Sequence, residues 1–283
     1  MAVDKYILTE ALSAILGVTV KLQSDCKDSD GAIKLDITSL TTLALLGYDA
    51  FMLVAQPVSF LTSLLTGWFI GDQKKSQETP KNESASSSLR KKLFVIPDDF
   101  FDPKFDFDFT NMSESDECTR GDEPYKRPYS WMRFALKVRD KYPDGNAWLG
   151  TDGWRSRSAP GEWPVSYHGT GLKEAEGIIQ SHYKAGDRQA YGRGIYSSPD
   201  IKVSDVYAES KSFISQKNGK TYKVIMQNRI NPKKREIKNK DIWLVPIPEG
   251  TSAAKEKEIV ESSIRPYGLL LKEVEGKKTC SQN

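Results

Sequence analysis

The run Val165-Ser166-Tyr167-His168-Gly169-Thr170, followed later by Tyr191-Gly192-Arg193-Gly194-Ile195-Tyr196, decides how this chain is read. Val165-Ser166-Tyr167 alternates and is β-branched and aromatic, which predicts a short strand running directly into His168 and Gly169. Glu174, Ala175, Ile178 and Ile179 follow at the spacing of a short amphipathic helix, and a polar loop over 184–190 leads to the second run. Ser198-Pro199-Asp200 then opens another short helix carrying Val203, Ser204, Val206 and Tyr207. Tyr222 to Ile230, Ile242 to Val245 and Ile264 to Val274 read as three later strands. Short strands at intervals, with two small helices early, predict a mixed α+β sheet domain.

A histidine and a glycine at the end of a strand put an imidazole beside bare backbone, and the glycine lets a flat amide approach peptide N–H and C=O groups. Tyr196 and Tyr207 in one pocket would sandwich a planar ring, and Ser204 would add a hydroxyl. Taken singly, each feature has an ordinary structural reading: a satisfied strand-end histidine, a turn, two core tyrosines. In order, however, His168-Gly169-Thr170, Gly192-x-Gly194-Ile195-Tyr196, Ser204 and Tyr207-Ala208 resemble the catalytic domains of the diphtheria-toxin-like ADP-ribosyltransferases, with the pattern of the poly(ADP-ribose) polymerase group. The likeness covers residues 163–275, including the strand Tyr222 to Asn228.

The resemblance implies a split antiparallel β-sheet and NAD as substrate, with no metal. His168 would hydrogen-bond the ribose and Gly169, beside Thr170, would pair its backbone with the nicotinamide carboxamide. Tyr207 would stack on the nicotinamide, Tyr196 would line the other side, and Ser204 would bind the carboxamide. Arg193 and Gly194 belong to the same binding set, and His168 and Tyr196 are the implied catalytic pair. The implied reaction transfers a single ADP-ribose to a protein or other macromolecule and releases nicotinamide. Polymer-forming members carry a glutamate on the last strand, where this chain reads Ser263-Ile264-Arg265-Pro266-Tyr267; Glu261 falls too early and Glu273 too late. Polymer synthesis is therefore not expected. Mono-ADP-ribosyl transfer and a non-catalytic module that binds NAD, ADP-ribose or a protein partner both remain open. Arginine at 265 would disfavour a cationic transition state yet suits a phosphate, as do Arg155, Arg157 and Arg193; solvated surface arginines are the plain alternative.

The rest of the chain reads as a mainly helical N-terminal region to residue 72, a linker with an acidic and aromatic segment over 73–127, and the ADP-ribosyltransferase-like domain over 128–283. Ile7, Leu8, Ala11, Leu12, Ile15 and Leu16 predict a helix ended by Gly17, and Val18 to Leu22 with Ile33 to Ile37 predict a small hairpin. Residues 50–71 carry no charge and reach the roughly 20 residues that cross a bilayer, but Pro57 and several polar residues equally suit a buried helix pair. Residues 72–92 read as a flexible linker. Leu93 to Phe109 interleaves phenylalanines with aspartates, as an extended arm would. Tyr129 to Tyr142, with Trp131, Phe134, Ala135 and Val138, predicts a helix closed by Pro143-Asp144-Gly145.

A formal charge of +3 gives no reason to expect nucleic acid, and the lysine-rich stretch 233–240 reads as a solvated loop. Three scattered cysteines, Cys26, Cys118 and Cys280, are no disulfide framework and fit an intracellular compartment, cytoplasmic or nuclear, with membrane contact open through 50–71. Two histidines and no paired-cysteine motif give no basis for a zinc site.

Overall fold

The computed structural model describes residues 3–26, 31–46, 93–113, 118–150, 157–169, 191–209 and 212–274. The uncharged stretch 50–71, the linker 72–92, the expected helix at 174–179 and the loop 184–190 lie outside the described residues.

Helix α1, Lys5–Leu16, starts where the Asp4 carboxylate accepts the Tyr6 N–H at 3.0 Å. It ends at Gly17, whose φ of 67° lets its N–H return to Ser13 O at 2.9 Å. Ile7, Leu8, Ala11, Leu12 and Ile15 form its buried stripe, as their spacing predicts. Next come β1, Thr19–Leu22, β2, Ile33–Lys34, and α2, Ile37–Leu46. The expected hairpin is not formed. β1 and β2 instead lie on either side of β3, Leu93–Ile96, both parallel to it. Phe94 and Ile96 are fully buried, so the segment expected as an arm begins as the central strand of this sheet.

The aromatic segment continues into the same body. Phe100, Phe101 and Phe109 are buried, and β4, Phe107–Asp108, pairs antiparallel with β7, Met132–Ala135. Between them β5, Thr119–Arg120, and β6, Glu123–Pro124, make a short hairpin. The helix expected over 129–142 is replaced by β7. Trp131 packs in one apolar cluster while Phe134, Leu136 and Val138 pack in another, so both faces of the strand are covered and strand alternation is hidden. Ser130 and Asp140 have left-handed backbone, φ 69° and 60°, which further breaks any helix there.

The remaining elements are β8, Val165–His168, β9, Gly194–Ser197, α3, Ile201–Ala208, β10, Phe213–Ile214, β11, Thr221–Ile230, β12, Glu236–Asn239, β13, Ile242–Pro246, α4, Ala253–Glu261, and β14, Ile264–Val274. β11 and β14 are the long central pair of an antiparallel sheet ordered β10-β11-β14-β7-β4, with β8 also on β11. A second antiparallel sheet runs β12-β13-β9. The two meet where Tyr167 and Ser198 exchange backbone hydrogen bonds of 2.7 and 2.9 Å. The described chain is thus mixed α and β, with four α-helices and several antiparallel sheets.

One apolar cluster holds Leu12 and Leu40 from the N-terminal helices together with Phe94, Met226, Leu269 and Leu271. Among the described residues the expected boundary near 72 therefore does not divide two cores. Leu12 is fully buried, and Leu12→Ala is expected to cost about 2–5 kcal/mol. Urea unfolding followed by circular dichroism should show that loss in a single transition. A separate early transition carrying the whole effect would contradict the shared core.

Candidate functional site

The site forms where the two antiparallel sheets part. β8 leaves β11 at the pair His168–Met226, while β9 places Tyr196 opposite Leu244 on β13. His168 is buried, and its Nδ1 lies 2.7 Å from Tyr196 O. A carbonyl only accepts, so Nδ1 carries a proton and donates to it. Tyr196 donates its phenol to Gly192 O at 2.6 Å and accepts the Tyr191 N–H at 3.3 Å. Residues 191–196 thereby close on themselves, with Gly192 at a φ of 95° supplying the turn.

Helix α3 completes the wall. Asp200 caps it by accepting the Lys202 N–H at 2.9 Å, and Lys126 pairs with Asp200 at 2.7 Å. Ser204 is fully buried and its Oγ donates to Tyr167 O at 3.1 Å, which ties the helix to β8. Tyr207 is buried against Val203 and Tyr196, so the two tyrosines do converge; burial raises the Tyr207 phenol above its ordinary range.

The glycines have structural reasons of their own. A Cβ on Gly169 would stand 2.9 Å from Ser204 O and 3.2 Å from the Tyr207 Cβ, so this glycine lets α3 settle on the strand end. A Cβ on Gly194 would meet Val245 O at 2.2 Å, inside the β9–β13 pairing. Gly194→Ala is therefore expected to lose at least about 1–3 kcal/mol of stability in urea denaturation, and an unchanged midpoint would contradict the close β9–β13 packing.

His168, Gly169, Tyr196, Ser204 and Tyr207 are thus brought together, while Gly194 packs against β13. Arg193 is not aimed at them. Its guanidinium ion-pairs with Glu256 on α4 and donates to Pro248 O at 3.0 Å, fixing the end of β13. Thr170 and Arg155 lie outside the described residues, and Arg157 is exposed at the edge of a separate open cleft beside α3.

Arg265 is engaged away from His168, Tyr196 and Tyr207. It is buried over the rings of Tyr142, Trp163 and Trp148, at 4.0, 4.6 and 5.2 Å, and pairs with Asp144 at 2.9 Å. Its Nε donates to Glu261 O at 2.6 Å. A bulge sets it there: Pro266 pairs with Asn228 and Gly268 with Gln227, leaving Tyr267 as the extra residue. Sequence reasoning missed this cage, although Tyr142, Trp148 and Trp163 were the available signal. It also missed α4, whose cap Ser252 accepts the Lys255 N–H at 3.4 Å.

Comparison with protein-family models, with curated proteins and with solved structures finds no match. Among the described residues no helix is long and apolar enough to cross a membrane.

Proposed function

We propose that the chain is an NAD-dependent mono-ADP-ribosyltransferase that transfers ADP-ribose to a protein or other macromolecule. One observation carries the reading: His168, with Nδ1 fixed on Tyr196 O, stands at the parting of two antiparallel sheets beside the converging Tyr196 and Tyr207. Residues far apart in sequence thereby come into contact, which supports the reading. Nε2 of His168 suits a ribose hydroxyl, and the two phenol rings suit the faces of a nicotinamide. NAD supplies the scissile nicotinamide–ribose bond, and what this chain contributes is orientation of the ring and ribose. The acceptor is not identified by any feature described above.

A second reading, a module that binds NAD or ADP-ribose without chemistry, is favoured by Arg265. The position that would hold a glutamate carries an arginine, which has no carboxylate to offer an oxocarbenium-like transition state and packs in the aromatic cage instead. Incubating the full chain with NAD and measuring free nicotinamide separates the two. Release above the uncatalysed rate that falls in Tyr207→Ala supports the transferase. Bound NAD without release supports the module, and neither binding nor release sinks both.

A further inference from the structure

A cavity of about 350 Å³ lies between the segment 102–109, β7 and the β5–β6 hairpin, and none of His168, Tyr196, Ser204 or Tyr207 lines it. Six cationic side chains and two carboxylates line it. Arg133 on β7 is central. Its guanidinium stands 5.8 Å from the rings of both Phe107 and Phe109 and 5.7 Å from that of Tyr267. Arg229 on β11 lies 5.1 Å from the same Tyr267 ring, so two guanidiniums share one aromatic side chain.

Their counter-charges are unequal. Arg229, 5% exposed, pairs with Glu162 at 2.9 Å and donates to Trp163 O and Leu149 O. Glu162 also lies 3.7 Å from Arg120. Arg133 donates to Phe105 O at 2.9 Å but forms no ion pair among the described residues. Its Nε, like that of Arg229, is buried with no hydrogen-bond partner among them. The nearby Asp106 accepts the Ala135 N–H at 2.8 Å; burial raises its carboxyl above the ordinary range, and the Arg133 charge opposes that rise. Half-buried Arg133 thus has one carbonyl, three rings and Asp106 around it, and its buried Nε gains a partner from an anion in the cavity.

We propose that this cavity is a binding site for a small phosphate monoester carrying a flat ring, of mononucleotide size. Planar guanidinium forks match phosphate oxygens, and Phe107 and Phe109, with ring centroids 4.5 Å apart, offer an aromatic wall. The volume lies at the lower end of the roughly 300–1,000 Å³ of small-molecule sites. This site is independent of the NAD reading, because the two share none of the residues that define them.

The test is calorimetric titration of the full chain with adenosine 5′-monophosphate and with phenyl phosphate, beside Arg133→Met, Arg139→Glu and His168→Ala. Arg139 is exposed and its guanidinium lies 5.7 Å from the Phe105 ring at the cavity, so its reversal leaves the fold intact. At least one ester is expected to bind, with affinity falling roughly tenfold or more in each arginine variant and staying unchanged in His168→Ala. If Arg133→Met fails to fold, Arg139→Glu alone decides. Absence of binding by both esters overturns the proposal. So does binding that the folded arginine variants leave unchanged, or that His168→Ala abolishes, since that places the ligand at the other pocket.

Discussion

His168→Ala is expected to lower nicotinamide release by the full chain by roughly 30- to 160-fold, about 2–3 kcal/mol. Two losses add. The ribose hydroxyl loses its partner at Nε2, and Tyr196 O loses the Nδ1–H that it takes at 2.7 Å. The second loss removes a tether of the 191–196 loop, which also closes on itself through the Tyr196 phenol. The assay is initial-rate nicotinamide release at saturating and sub-saturating NAD, with circular dichroism to show that the fold persists. A variant with wild-type rates would remove His168 from the site.

Glu162→Gln should be the most damaging single change to stability, at about 3–5 kcal/mol. The Glu162 side chain is fully buried and faces Arg229, whose side chain is itself 7% exposed. Its second oxygen accepts the Ala159 N–H at 2.9 Å. Neutralising it leaves Arg229 as a buried charge without its counter-ion, beneath a cavity that already carries Arg133. Urea denaturation of the variant should show the loss as a shift in midpoint. A change below about 1 kcal/mol would mean that the Arg229 charge is neutralised elsewhere.

The strands β8, β11, β13 and β14 and the helix α3 were legible because each presents a β-branched, aromatic or capped signature that local chemistry decides. β7 was not. A strand covered on both faces has no alternation, and Trp131, Phe134, Ala135 and Val138 happen to fall at helical spacing. The hairpin expected from Val18 and Ile37 failed for a different reason. β1 and β2 are joined through Leu93–Ile96, a partner far along the chain that no local pattern reveals. Within the site, the meeting of His168, Tyr196 and Tyr207 followed from motif order. The engagement of Arg193 with Glu256, and of Arg265 with Tyr142, Trp148 and Trp163, depends on partners brought in by tertiary packing.

NAD binding is proposed at the parting of the two sheets beside His168. Titrating the full chain with a non-hydrolysable NAD analogue, in parallel with Tyr207→Ala, tests it most directly. Saturable one-site binding by the wild-type chain is expected, weakened roughly tenfold or more when the Tyr207 ring is removed. A folded wild-type chain that gives no heat of binding, or an affinity that Tyr207→Ala leaves unchanged, would contradict it.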